Sequence, residues 1–271
     1  MAKNIQNPGS ALGEAIGAEM EKALNDYLKT LADKHSCHFV SQGPKNSQTG
    51  KHKKLLMYDN FATSYNIDGV ITNESLQPLI LVECKYIRYK KHNRDKGSWV
   101  CTAHQALRKR YTSIRSSIAV LAGSWSSTSR AMLQTHGVNI FLIPFQVICD
   151  LLSQHGIIFN WAEKDRARAK QSWRTYCKLS SRQKSNIGKQ MIRLIEDPLK
   201  NMVENVLDES SPRQLEKILL EVHTSLGEVR IFECDSIESA IKLLSDFDFD
   251  AMLDTSDSVA LFDPPPQINE Q

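Results

Sequence analysis

Asp68, Glu83 and Lys85 are three charged side chains placed in two apolar, strand-like runs. The first run is Tyr65-Asn66-Ile67-Asp68-Gly69-Val70-Ile71. The second, Leu79-Ile80-Leu81-Val82-Glu83-Cys84-Lys85-Tyr86-Ile87, follows a turn at Asn73-Glu74-Ser75-Leu76-Gln77-Pro78. Charges in buried strands are costly unless they pair or bind something. Strand residues i and i+2 share a face, so Glu83 and Lys85 point the same way, and a hairpin brings Asp68 beside them. Two carboxylates and an ammonium at one sheet edge are what metal-assisted phosphodiester hydrolysis requires. Mg²⁺ takes one or two carboxylates and keeps several waters. Asp68 and Glu83 would supply them, with the Cys84 carbonyl as a third oxygen. The metal polarises the phosphate and acidifies a bound water. Lys85 holds or deprotonates the attacking water and offsets the developing charge. A purely structural ion pair is the competing explanation of the same three residues.

Ile67-Asp68, a gap of fourteen residues and Glu83-Cys84-Lys85 resemble the motif of the PD-(D/E)XK nuclease superfamily, the restriction-endonuclease-like proteins. The resemblance covers roughly residues 10–145, with Ile67 where many members have proline. It implies an α/β fold, with a mixed central sheet flanked by helices, and a Mg²⁺-dependent endodeoxyribonuclease of the restriction or antiviral defence type. Mn²⁺ is expected to substitute for Mg²⁺. A repair or resolvase-like nuclease, or a DNA-binding scaffold subunit with a residual site, are the alternatives. Members often open on a helix with Gly-x-x-x-Glu, whose glutamate reaches the metal; Gly17 to Glu21 fits, which places Glu21 in the catalytic set, and Glu14 is a second candidate. A polar residue on the helix after the lysine is also common in the superfamily, and Gln105 holds that place.

The elements that must position these groups follow from periodicity. Ser10 is read as the N-cap of a helix to about Lys34, with Leu12, Ile16, Met20, Leu24, Tyr27, Leu28 and Leu31 on its buried face. Gly13 and Gly17 border that face and would let the helix sit close to a sheet. Residues 41–54 form a polar loop. The stretch from Ile87 to Gly97 has no apolar period and reads as a loop; His104 to Ile118 reads as a helix. Residues 117–123 and 138–145 read as strands, with a short helix over 129–136 and another from about Phe145 to His155. Helices fill 161–195, and a hairpin (Leu215–Val222 with Val229–Cys234) precedes a helix capped by Ser236.

Charge divides the chain. Residues 1–195 carry a net +16 and residues 196–271 a net −13. Such asymmetry suggests a basic nucleic-acid-binding body and an acidic appendage. The stretch Lys85–Arg115 holds ten Lys/Arg and one acid, Asp95. Arg88, Lys90, Lys91, Arg94, Lys96, Arg108 and Lys109 are the expected phosphate contacts, with double-stranded DNA as the partner. The expected domains are a nuclease core over 1–160, a basic helical segment over 161–195, a small acidic α+β part over 196–247 and an acidic tail over 248–271. The acidic part is expected to bind a protein partner, and cutting of both strands calls for a homodimer or larger complex. No run of 18 apolar residues, no secretory h-region and six scattered cysteines point to a cytoplasmic protein without membrane contact.

Overall fold

The computed structural model describes residues 7–45, 49–50, 52–89, 93–162, 164–210, 212–248 and 260–262. In chain order the first compact unit holds α1 (Pro8–Lys34), β1 (His38–Val40), β2 (Leu56–Tyr58), β3 (Ser64–Asn66), β4 (Gly69–Thr72), β5 (Pro78–Ile87), α2 (Asn93–Arg110), β6 (Ser116–Gly123), α3 (Ser127–Thr135), β7 (Asn139–Pro144), α4 (Phe145–Ser153), α5 (Arg166–Lys178), α6 (Ser181–Arg193) and α7 (Glu196–Leu207). The second holds β8 (Ile218–His223), β9 (Val229–Cys234) and α8 (Ile237–Ser245). Among the described residues no helix is long and apolar enough to cross a membrane.

The central sheet runs β1-β4-β5-β6-β7. β1, β4 and β5 pair antiparallel, and β5, β6 and β7 pair parallel. The sheet is therefore mixed, with helices on both faces, as expected of this α/β sequence. Even-numbered residues of β5 (Ile80, Val82) join Leu12, Ile16, Met20 and Leu24 of α1 in one core. Odd-numbered Leu81 and Ile87 face α2, in two smaller cores built with Ala103 and Leu107 or with Val100 and Leu133. Period-two alternation thus sorts β5 from Ile80 onward between the layers, while Leu79 at its start joins the α1 core too.

Several boundaries differ from the sequence reading. α1 begins at Pro8, and Asn7 rather than Ser10 is its cap, accepting the Ser10 N–H at 3.2 Å. The run Tyr65–Ile71 is split: β3 pairs with β2 in a separate hairpin, while β4 belongs to the main sheet, with Ile67 and Asp68 between them. The read loop before Gly97 already belongs to α2 from Asn93, which is buried and donates a hydrogen bond to the Ser124 carbonyl. α2 ends at Arg110 rather than Ile118, because the segment from Ser116 pairs with β5. β1 and β2, three residues each, carry too little period to read.

The first compact unit extends through Glu209, so neither residue 160 nor residue 195 is a boundary. The apolar stripes of α5, α6 and α7 (Ala169, Tyr176, Ile187, Met191, Leu199, Val203) fill the same core as α1. α6 lies so close to α1 that a Cβ on Gly188 would sit 2.2 Å from the Glu19 carbonyl oxygen. Gly188→Ala must push the two helices apart. Overpacking of this kind is expected to cost about 1–3 kcal/mol, read as a lower urea midpoint at unchanged slope. Gly13 and Gly17 do let α1 approach the sheet: a Cβ at either would stand 3.2–3.3 Å from Tyr86.

In the second unit the hairpin and α8 share a small interior around Cys234 and Ala240, with Phe232 edge-on to Phe247. Ser236 caps α8 in a capping box, as read. Most of the expected acidic tail, residues 249–259 and 263–271, lies outside the described residues.

Candidate active site

Pairing of β4 with β5 stops at Gly69 opposite Val82, whereas β5 continues beside β6 to Ile87. The far half of β5 therefore has a bare edge where β4 has turned away. Asp68, the residue just before β4, fills the first gap: its Oδ2 accepts the Cys84 backbone N–H at 2.9 Å. A carboxylate thus stands where a ladder carbonyl would have been. The Cys84 carbonyl lies on the same edge, since the N–H and C=O of one strand residue point to the same side.

Glu83 and Lys85 project from the α2 face of this half-strand. The Lys85 ammonium is 2.6 Å from Asp68 Oδ2 and contacts Glu83 Oε2. Glu83 is fully buried, while Asp68 and Lys85 are about one-fifth exposed. The arrangement is a mostly buried polar island between the two apolar cores under α2. His104 of α2 closes its floor. It is buried, with Nε2 3.9 Å from Glu83 Oε1, beyond hydrogen-bond reach. Neither Glu83 oxygen makes a geometrically sound hydrogen bond, although Oε2 touches the ammonium.

Electrostatics follow from this crowding. Burial, then the Glu83 charge, push the Asp68 carboxyl up to about 6, against the pull of Lys85. Burial also pushes Glu83 up, but His104 and Lys85 outweigh it and hold the carboxyl below its ordinary value. The two acids share one ammonium, so the first proton belongs to the pair, lodged chiefly on Asp68. Lys85 is depressed by burial and lifted further by Glu83 and Asp68, which leaves it firmly protonated at neutral pH.

A raised carboxyl favours the protonated folded state. Its contribution is complete below the unfolded value of about 3.9 and is lost as pH rises through the folded value near 6. In metal-free buffer the wild type should lose on the order of 3 kcal/mol, relative to Asp68→Asn, between about pH 4 and pH 7. Glu83 acts in the opposite sense and at lower pH. Urea unfolding of both proteins across that range checks the difference, and parallel curves would remove Asp68 from the pair.

Among the described residues no three His, Cys, Asp or Glu side chains gather as a metal cluster. What remains is two carboxylates and a strand carbonyl. That is an oxygen-only set, short of a full cage, which suits Mg²⁺ with its retained waters better than zinc. The under-bonded, buried Glu83 carboxylate and the proton-hungry Asp68 both fit a cation there.

The remaining expected residues fall in different places. Glu21 is half-buried on α1, on the other side of the sheet, where its charge helps raise the Cys84 thiol after burial. Among the described residues it makes no ion pair with the triad. Glu14 is exposed, on the rim of a cavity of about 680 Å³ lined also by Gly17, Tyr86 and Trp161. Arg88 lines the same cavity: its guanidinium lies 3.7 Å from the Trp161 ring centroid and donates to the Trp161 carbonyl at 3.0 Å. Strand alternation puts it on the face opposite Glu83 and Lys85. Lys90 and Lys91 lie outside the described residues. Arg94, Gln105, Arg108 and Lys109 are exposed along α2. Lys96 is exposed too, 3.4 Å from the Tyr86 carbonyl, and burial and then Lys85 lower its basicity. The site therefore takes His104, not its neighbour Gln105, against the carboxylates. A signal existed: His104 sits in the stripe Val100-Ala103-His104-Leu107, a polar residue at a core position.

No family model matches the chain, and no curated protein matches it. One solved structure it is similar to is a crystal structure described as a protein of unknown function, AF1548. The match is 11% identical, covers 67% of this chain and 98% of that chain, and has a TM-score of 0.31. Likeness at that level carries no argument about fold family or function.

Proposed function

We propose that the chain is a Mg²⁺-dependent endodeoxyribonuclease of the PD-(D/E)XK type, acting in restriction or antiviral defence. The observation that carries the reading is the convergence of Asp68, Glu83 and Lys85 on the bare edge of β5. The ammonium is within reach of both acids, and Glu83 is buried with neither oxygen properly hydrogen-bonded.

When bound, a divalent cation would supply Lewis-acid polarisation of the phosphate and a more acidic water. Asp68, Glu83 and the Cys84 carbonyl would hold it. The Cys84 amide fixes the Asp68 carboxylate in register with the strand. His104 and the apolar cores under α2 exclude water from the floor, which strengthens each charge interaction. Lys85, kept protonated by the two acids, donates hydrogen bonds and positive charge to the reacting phosphate and its attacking water. This favours charge stabilisation over proton abstraction as the role of the lysine. One site cuts one strand, so two copies or a larger complex serve double-strand cleavage. Six free cysteines favour a cytoplasmic setting.

The test is incubation of the purified protein with labelled duplex DNA, single-stranded DNA and RNA in Mg²⁺ or in EDTA. Endonucleolytic products from DNA in Mg²⁺ alone are expected. Cleavage that survives EDTA, or is confined to RNA, would overturn the reading.

A further inference from the structure

The β2–β3 hairpin ends in a tip that is both exposed and tied down by hydrogen bonds. Phe61 is 90% exposed at its apex. Tyr58 and Leu56 lie half-open on the outer face, while Met57 and Tyr65 point into the core. A free apolar tip would normally be a loose one. Here Asp59, itself buried, accepts the backbone N–H of Phe61 at 2.8 Å and of Thr63 at 2.9 Å, and the Tyr65 hydroxyl at 3.1 Å. Arg110, at the end of α2, donates to the Asp59 carbonyl at 2.6 Å. Ala62 is held at φ 62, a left-handed conformation disfavoured for a residue with a Cβ. Strain of this kind persists where surrounding bonds over-determine it, and it gathers at functional places.

The surroundings indicate the partner. Lys53 and Lys54 at the hairpin base and Arg108 and Lys109 on α2 are exposed. Asp59, already bonded, is the one acid between residues 52 and 66. Trp99 of α2 stands half-exposed with its ring 5.8 Å from Tyr65. Exposed aromatic side chains on elements that also carry exposed basic residues suit nucleic-acid bases and their polyanionic backbone. From Phe61 the chain runs down β3 and turns at Asp68. At about 3.3 Å per residue the seven residue steps between them keep the tip within roughly 23 Å of Asp68, about seven base steps.

We propose that the β2–β3 tip is a nucleic-acid wedge, in which Phe61 stacks on or between bases within about seven steps of the scissile phosphate beside the Asp68–Glu83–Lys85 site. The inference rests on the nuclease reading and adds a distortion of the duplex beside the cut. The experiment uses the full chain carrying Asp68→Asn, so that DNA is bound and not cut, and a duplex with 2-aminopurine at about every fifth position. Binding should raise the 2-aminopurine fluorescence as bases unstack. Adding Phe61→Ala should abolish the rise and weaken duplex binding roughly 5- to 150-fold, the range for one stacked base, while Phe61→Trp should retain both. Phe61 is too exposed for its loss to unfold the chain, and Asp59→Ala, which removes the acceptor of the Phe61 and Thr63 N–H groups and so frees the tip, should give the same direction of change by another route. Unchanged fluorescence and affinity in Phe61→Ala would overturn the wedge and leave the nuclease reading intact. So would a change of oligomeric state with DNA binding unaltered, which would make the tip a contact between copies. Failure of the Asp68→Asn protein, and of the wild type, to bind any DNA would overturn the nuclease reading itself.

Discussion

Asp68→Ala, Glu83→Gln and Lys85→Ala should each lower single-turnover DNA cleavage by roughly 10²–10⁴-fold, the usual cost of removing one charge-stabilising or proton-transferring group. DNA binding should survive, because the expected phosphate contacts on α2 are separate from the triad. The three losses should not multiply in combination. Asp68, Glu83 and Lys85 touch one another and act as a unit, so a double variant should be little worse than either single one. Glu21→Ala should cost far less than any of them, since Glu21 lies across the sheet and reaches the site only through its field at Cys84. Cleavage at the wild-type rate by any triad variant would remove that residue from the chemistry.

Lys85→Met should be the most damaging change to stability at this site. The substitution keeps most of the side-chain volume and removes the ammonium that touches both acids. Glu83 is then a fully buried carboxylate beside a second carboxylate, with no cation in contact. Breaking a buried pair in this way costs about 3–5 kcal/mol. In EDTA near neutral pH the variant should unfold at a markedly lower urea concentration than the wild type. Two conditions should narrow the gap. Lower pH should do so, because the acid pair can take a proton where Lys85 no longer competes. Divalent cation should do so as well, because without the competing ammonium the two acids bind it more tightly in the variant, and each tenfold gain in affinity is worth about 1.4 kcal/mol at saturating cation. Ca²⁺ can be used in place of Mg²⁺ to separate binding from catalysis. Equal stability of the two proteins in EDTA would contradict the geometry of the triad.

The triad was legible because ionisable residues in apolar strands violate the pattern around them, and the violation has few physical explanations. The α/β layering was legible for a related reason: most of β5 and all but the polar start of β6 are apolar runs, as strands covered on both faces must be. The split of Tyr65–Ile71 was not, since β3 and β4 read as one alternation and diverge only because Asp68 turns towards Cys84. His104 was hidden behind Gln105 by reading the pair as a helix opening; the true start at Asn93 puts His104 on the inner stripe. The domain boundary was misplaced because it was drawn from charge. Charge sign describes the solvent face of a helix, whereas Leu199, Val203 and Leu207 decide which core α7 joins. An acidic outer face and a shared inner one coexist on α7 without conflict.

On the function proposed, Asp68, Glu83 and Lys85 cut DNA with a divalent cation. The most direct measurement is conversion of supercoiled plasmid to nicked and linear forms by wild-type and Asp68→Ala protein, purified side by side, in Mg²⁺ and in EDTA. The expected result is conversion by the wild type in Mg²⁺ alone, with the variant at least about a hundredfold slower. Conversion by Asp68→Ala at the wild-type rate, or no conversion by the wild type in Mg²⁺ or Mn²⁺, would contradict it.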